Sequence, residues 1–190
     1  MIAARKERAR YTYADYVNWP ETERWELIDG VPYEMHAMAA PSLKHQDVLL
    51  LLGRKFGDYL DDRPCRVFIA PCDVRLNADK GDDTVVQPDL LVVCNPDIIG
   101  KSSINGAPDL VIEVLSPSNA NHDVINKFAK YREVGVKEIW FVDPDTGYAN
   151  TYKLKDGKYS VDFYGAEDAI PVEILPGFAV DMKEIFHENC

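Results

Sequence analysis

Hydrophobic positions in this chain change period from one segment to the next. Val48, Leu49, Leu52, Phe56 and Tyr59 recur at three-to-four spacing. That is the stripe of a helix with one buried face, and Ser42 stands where a hydroxyl can cap it, so a helix is expected over residues 42–60. Elsewhere the apolar runs are short and nearly continuous. Residues 66–76, 85–94, 109–115 and 138–142 read as strands, the third as a central one buried on both faces. Asp29-Gly30 and Asp156-Gly157 separate paired extended segments, as tight hairpin turns do. Thr12 is placed to cap a short helix over residues 13–19, and a second long helix over 121–134 is stopped by Gly135. A short amphipathic helix near residues 182–186 closes the chain. Strands alternating with two substantial helices predict an α/β domain with a mixed sheet.

Three ionisable residues interrupt this apolar pattern. Asp89 follows Val85-Val86-Gln87-Pro88, Glu113 lies inside Leu110-Val111-Ile112-Glu113-Val114-Leu115, and Lys127 follows Val124-Ile125-Asn126. A buried, unpaired carboxylate costs several kcal/mol or takes up a proton, so two acids and an amine in such places are expected to share one site. With side chains alternating along a strand, Glu113 shares a face with Asp109, Val111 and Leu115, while Leu110, Ile112 and Val114 fill the other. Pro88 cannot donate a ladder hydrogen bond, so it marks a strand start or bulge able to aim Asp89 into a cleft. At about 100° per residue, Lys127 falls on the arc of Val134, Tyr131, Phe128 and Ile125 and therefore faces inward. Arg132 falls on the same arc, as a long cation that can snorkel out.

Composition narrows the partners. With 190 residues and 46% hydrophobic content the chain is expected to form one domain, residues 11–190, behind a basic N-terminal arm of residues 1–10. Net charge is -11 although the first ten residues hold four basic groups and one acid. A body this acidic repels phosphate backbones unless its charges are segregated. The arm is read as a frayed, solvated terminus, with phosphate contact as the other reading. Cys65, Cys72, Cys94 and Cys190 form no CxxC pair and no zinc spacing, and are expected to be reduced thiols in a cytoplasmic protein. No signal-peptide core precedes them and the longest aliphatic run, residues 48–52, cannot span a bilayer.

Two carboxylates and an ammonium suit one chemistry well. A hard divalent cation such as Mg²⁺, or Mn²⁺ in its place, prefers carboxylate oxygens, and one held by Asp89 and Glu113 polarises a phosphoryl oxygen and acidifies its water. Lys127 then positions or deprotonates that water, or offsets charge that grows on the phosphate. The competing reading makes Asp89 a turn acid and Glu113 with Lys127 a structural buried pair. A carbohydrate hydrolase also uses paired acids but needs no inward lysine.

These residues carry a resemblance. Pro88-Asp89-Leu90, Ala107-Pro108-Asp109-Leu110-Val111-Ile112-Glu113-Val114-Leu115-Ser116-Pro117-Ser118, then Asp123, Lys127, Tyr131, Gly135-Val136 and Glu138-Ile139-Trp140 resemble the Uma-two family of restriction endonucleases, within the PD-(D/E)XK nuclease superfamily. Trp25-Glu26-Leu27-Ile28-Asp29-Gly30, Pro41-Ser42, His45 and Leu175-Pro176-Gly177-Phe178 extend it over nearly the whole chain. The resemblance implies a restriction-endonuclease-like α/β/α core with flanking helices and added hairpins, a Mg²⁺-dependent endonuclease site acting on nucleic acid, DNA foremost, and a homodimer. It maps the metal-binding motif acids onto Asp89 and Glu113. Leu115 replaces the lysine usual two residues after the glutamate, and family members supply it from the following helix, here as Lys127. A nuclease-fold protein without catalysis, acting as a nucleic-acid- or protein-binding module, is the alternative.

Three further residues are weighed beside these. His45 begins the stripe that leads to Val48, so it faces inward as a structural histidine or as a metal-side group or general base. Glu26 matches the family's early acid and otherwise reads as a solvated strand acid. Asp73 shares its strand face with Arg75 and either pairs with it or stands beside the metal site. Asp109 is read as serving the turn after Pro108.

Overall fold

The structure is a computed structural model that describes residues 10–20, 23–35, 42–116 and 123–186, without the side chains of 123 and 124. The arm before Arg10, the start of the second helix at Asn121, His36, His122, His187, Pro41, Pro117, Ser118 and Cys190 lie outside the described residues, as does the side chain of Asp123. Thirteen strands and three short or long α-helices are described. The first helix, α1 (Tyr13–Tyr16), is shorter than expected, although the backbone N–H of Thr12 does donate to the Asp15 carboxylate. Strands β1 (Trp25–Ile28) and β2 (Val31–Glu34) pair across Asp29-Gly30, where both residues take positive φ, 51° and 74°. That is the backbone of a two-residue hairpin turn, and it favours this dipeptide. A Cβ on Gly30 would also meet Arg10 Cβ at 2.7 Å.

Helix α2 (Leu43–Leu60) begins as its sequence predicts, with the Ser42 hydroxyl accepting from the His45 backbone N–H at 3.1 Å. The expected strand over 66–76 is two strands, β3 (Arg66–Ile69) and β4 (Asp73–Arg75), separated around the cis Ala70-Pro71 bond. The run 85–94 likewise splits into β5 (Val85–Val86) and β6 (Leu90–Val93) around Pro88. In both cases the halves belong to different sheets, a feature that apolar content along one segment cannot reveal. Strands β7 (Ser103–Ile104), β8 (Leu110–Val114), β9 (Glu138–Asp143), β10 (Tyr148–Lys155), β11 (Lys158–Tyr164), β12 (Ala169–Pro171) and β13 (Ala179–Asp181) complete the set. The second helix is a π-turn over Asp123–Lys127 leading into α3 (Phe128–Glu133). The wider π-turn changes the angular phase, so Ile125 is exposed rather than on the inward arc, while Lys127 stays inward.

A six-stranded mixed sheet runs β11-β10-β9-β8-β6-β3, parallel at β8–β9 and antiparallel elsewhere. Strand β8 is interior and wholly buried, as its aliphatic run predicts. One face, with Leu110, Ile112 and Val114, packs on α2 through Val48, Leu52 and Phe56 and on the tail through Ile170, Val180 and Met182. The opposite face, with Val111, Ile139 and Phe141, meets Tyr131 of α3 and the five-stranded sheet β2-β1-β5-β4-β7 through Ile28, Val74, Val86 and Ile104. Strand alternation thus places Glu113 between the two sheets. Among the described residues no helix is long and apolar enough to cross a membrane.

Two expectations are corrected. Cys65 and Cys94 are joined in a disulfide, not free, and Cys72 is the free cysteine among the described residues. The pair flanks the antiparallel partners Arg66 and Val93, so adjacent strands rather than sequence spacing bring the sulfurs together across 29 residues. Asp109 does more than serve a turn, since it accepts from the Cys94 backbone N–H and from Lys137 Nζ, each at 2.6 Å.

Glu138 is a further buried acid. It accepts from Trp140 Nε1 through one oxygen and from the backbone N–H groups of Glu173 and Ile174 through the other. Burial raises its pKa above the ordinary carboxylate value while these donors oppose the rise. Glu138→Gln turns an amide N–H₂ toward a donor and is expected to cost about 1–3 kcal/mol, read from urea unfolding at pH 7. A variant as stable as the parent would show that these bonds do not fasten the tail to β9.

Candidate functional site

Lys127 emerges from the π-turn with its side chain 1% exposed, between strands β1 and β8. Its ammonium lies 2.7 Å from Glu113 Oε1 and 3.2 Å from Glu26 Oε1, with the Gln87 carbonyl at 3.5 Å. Four residues on along the helix, Tyr131 donates its hydroxyl to the same Glu113 oxygen at 2.6 Å. Burial, and after it the charge of Glu113, raises the Tyr131 phenol well above its ordinary value and so keeps it a donor. Two carboxylates facing one ammonium in a dry interior leave an excess of negative charge, which the interior tolerates only when hydrogen bonds or a further cation offset it.

Asp89 supplies the more open side of this cluster. Its side chain is 19% exposed, not buried as the apolar context suggests. One step beyond the last ladder pair, Leu90 with Ile112, sequence order sets Asp89 beside Glu113. The Val114 backbone N–H donates to Asp89 Oδ2 at 2.8 Å, and His45 Nε2 lies 3.5 Å from the same oxygen. Asp89 Oδ1 has no protein hydrogen bond among the described residues. The interruption between β5 and β6 at Pro88 leaves Asp89 beside Glu113, and α2 brings His45 to it from the opposite face of the sheet.

Glu26 is wholly buried rather than solvated. Both faces of β1 are covered, and its Oε1 receives the Gln87 backbone N–H at 2.8 Å in addition to Lys127. Asp73 does not pair with Arg75, which binds Asp82 instead at 2.9 and 2.6 Å. Asp73 Oδ1 accepts from Tyr16 Oη at 3.0 Å and from Gln87 Nε2 at 2.9 Å. Burial and the Asp73 charge push the Tyr16 hydroxyl up from its ordinary value.

Gln87 joins the site although neither charge nor spacing singles it out in the sequence. Its backbone touches Glu26 and Lys127, its amide touches Asp73, Tyr16 and Arg24. An amide within Val85-Val86-Gln87-Pro88 is the same polar interruption that drew attention to Asp89. Tyr131 had a weaker signal, since an aromatic on the inward arc of a helix reads as core.

Among the described residues no group of three or more His, Cys, Asp and Glu side chains is arranged to hold a metal ion. Two hard carboxylates, one with an oxygen unused by protein, still fit Mg²⁺, which is commonly held by one or two carboxylates with water and substrate phosphate completing the shell.

Known proteins resemble this one over nearly the whole chain. A family model described as "Putative restriction endonuclease" matches residues 13–183. An uncharacterized protein of Synechocystis sp. is 26% identical over 173 residues, 88% of each chain. A crystal structure described as a putative nuclease of a domain-of-unknown-function family from Anabaena variabilis superposes with a TM-score of 0.73 at 20% identity, covering 93% of this chain and 97% of that one. The α/β fold is thus shared with that structure.

Removing the cation between two buried acids leaves both charges uncompensated. Lys127→Met is expected to lose about 3–5 kcal/mol in urea unfolding at pH 7. Adding Glu26→Gln to that variant is expected to restore part of the loss. Full stability of Lys127→Met alone would mean that the ammonium does not balance the pair.

Proposed function

Since this chain belongs to the Uma-two (Uma2) family, whose model spans residues 13–183, we propose that it is a metal-dependent endonuclease hydrolysing phosphodiester bonds of nucleic acid, DNA foremost. The observation that carries this reading is the meeting of Lys127 Nζ with Glu113 Oε1 at 2.7 Å and with Glu26 Oε1 at 3.2 Å, beside an Asp89 with an unused oxygen. Asp89 and Glu113 would hold Mg²⁺ or Mn²⁺, which supplies, when bound, polarisation of the phosphoryl oxygen and acidification of water. Lys127 holds Glu113 in place and offsets part of its charge, which orders the carboxylate beside Asp89. Tyr131 keeps the Glu113 carboxylate oriented through Oε1. His45 steadies Asp89 through Oδ2, and Glu26 holds Lys127 from the other side.

The near-complete burial of Glu113 and Lys127 favours a second reading, a nuclease-fold module that binds nucleic acid or protein without cutting it. One experiment separates the two. Supercoiled, linear and single-stranded DNA and RNA are incubated with the protein and Mg²⁺ or Mn²⁺, with Glu113→Gln and Lys127→Met alongside. Cleavage is expected, with a rate lower by about 10²–10⁴-fold in folded Lys127→Met. No cleavage of any substrate, or cleavage that persists in both variants, would overturn the nuclease reading.

Metal binding gives an independent measurement. Calorimetric titration with Mn²⁺ is expected to show binding that Asp89→Ala abolishes, while His45→Ala weakens it by about 10–100-fold. Equal affinity of Asp89→Ala and the parent would place any metal elsewhere.

A further inference from the structure

A concave cleft of about 410 Å³ opens beside the acid–lysine cluster, between the edge strand β3 and the segment leading into β7. Gln87 joins the cluster to the cleft. Gln87 lines the cleft while its backbone bonds Glu26 and meets Lys127. Pro71 lines it as well, and the preceding Ala70 donates its N–H to the Asp89 carbonyl at 2.9 Å. The cleft therefore adjoins the Gln87–Asp89 segment through Gln87, while Asp89, Glu113 and Lys127 stand behind its lining.

Its walls combine three kinds of group. Phe68 and Ile99 are apolar, with the Phe68 ring half-buried. Asp73 contributes a carboxylate whose Oδ1 is taken by Tyr16 and Gln87 and whose Oδ2 has no protein partner among the described residues. Lys101 is exposed at the rim, with no ion-pair partner among the described residues. The Gln87 amide is locked, donating to Asp73 and Tyr16 and accepting from Arg24 Nη2 at 2.7 Å. An apolar wall with an aromatic ring, one acceptor-only group and a cation at the mouth match the face, the edge and the phosphate of a single nucleotide.

We propose that this cleft takes one unpaired nucleobase bearing an exocyclic amino group, next to the phosphate acted on, so that the substrate is single-stranded or locally unpaired nucleic acid. The proposal rests on the nuclease reading for the presence of that phosphate. A paired, stacked base offers neither its face nor its pairing edge to such a cleft. Asp73 Oδ2 accepts from the amino group of cytosine, whereas thymine turns a carbonyl oxygen toward it and is rejected. The overall charge of -11 is consistent, because one base gripped by stacking and a hydrogen bond lowers the need to neutralise many phosphates.

The test is equilibrium binding in EDTA, where no metal-dependent cleavage intervenes. Fluorescence anisotropy follows labelled oligo-dC, oligo-dT and a hairpin duplex of equal nucleotide count as they bind the full chain. Oligo-dC is expected to bind about tenfold tighter than oligo-dT, and the duplex more weakly than oligo-dC. Asp73→Asn is expected to erase the preference for dC over dT, and Phe68→Ala to weaken both strands about tenfold. Because Asp73 also anchors Tyr16, the exposed Ser102→Trp, which plugs the cleft without touching that network, serves as a second variant and is expected to abolish binding. Equal affinity for dC and dT, tighter binding of the duplex, a dC preference retained in folded Asp73→Asn, or undiminished binding by Ser102→Trp would each overturn the proposal. Cleavage of duplex without single-strand binding would remove the cleft and keep the nuclease, whereas dC-selective binding without cleavage at any metal would do the reverse.

Discussion

An ammonium buried between two carboxylates is the constraint around which this structure is arranged. Lys127 lies within 3.2 Å of both Glu26 and Glu113 and is shut off from solvent. Interior charge is tolerated only when its partners are close and further hydrogen bonds complete the set. Here the completing donors are the Tyr131 hydroxyl on Glu113 and the Gln87 backbone N–H on Glu26. Each of these partners comes from a different element, so β1, β8, the segment before β6 and the turn into α3 must all be in place at once. A hydrophobic replacement of the same volume could have filled the space. Keeping three charged groups there instead is what turns a packing solution into a candidate for chemistry.

The sheets explain why the cluster lies where it does. The large sheet is clad on one side by α2 and the C-terminal tail, and its other side would be bare without the small sheet and α3. Glu113 points into that second layer by strand alternation alone. Asp89 reaches the same region because Gln87-Pro88-Asp89 carries the chain from β5 in one sheet to β6 in the other. The mixed α/β fold thus has its second layer built mainly from strands, and the π-turn with the short α3 contributes chiefly Lys127 and Tyr131.

Much of this was legible in the residues. The long α2 with its Ser42 cap, both Asp-Gly hairpins, the buried central strand and the inward face of Lys127 follow from periodicity and turn chemistry. The convergence of Glu113 with Lys127 follows from the cost of burying either alone. What stayed hidden were relations between segments. Runs 66–76 and 85–94 look like single strands because apolar content does not say to which sheet a residue belongs. From sequence Glu26 reads as solvated because a hairpin strand normally has an open face, and here both faces of β1 are covered. The Cys65–Cys94 bond does not show in cysteine spacing for a similar reason, being a product of strand register. A uniform turn of about 100° per residue puts Ile125 inward, and it lies outward because that turn does not hold across a π-turn.

The tripeptide Gln87-Pro88-Asp89 carries one more implication. It is the shared seam at which the two sheets are stitched, with Gln87 tied to the small sheet through Glu26 and Asp73, and Asp89 tied to the large one through Val114. A sub-ångström slide of one layer over the other would be felt first at this seam, since it has no slack between its two anchorages. The spacing of the charged groups is therefore a gauge of how the layers sit, and residues far away in the interlayer core can retune it without ever meeting a substrate.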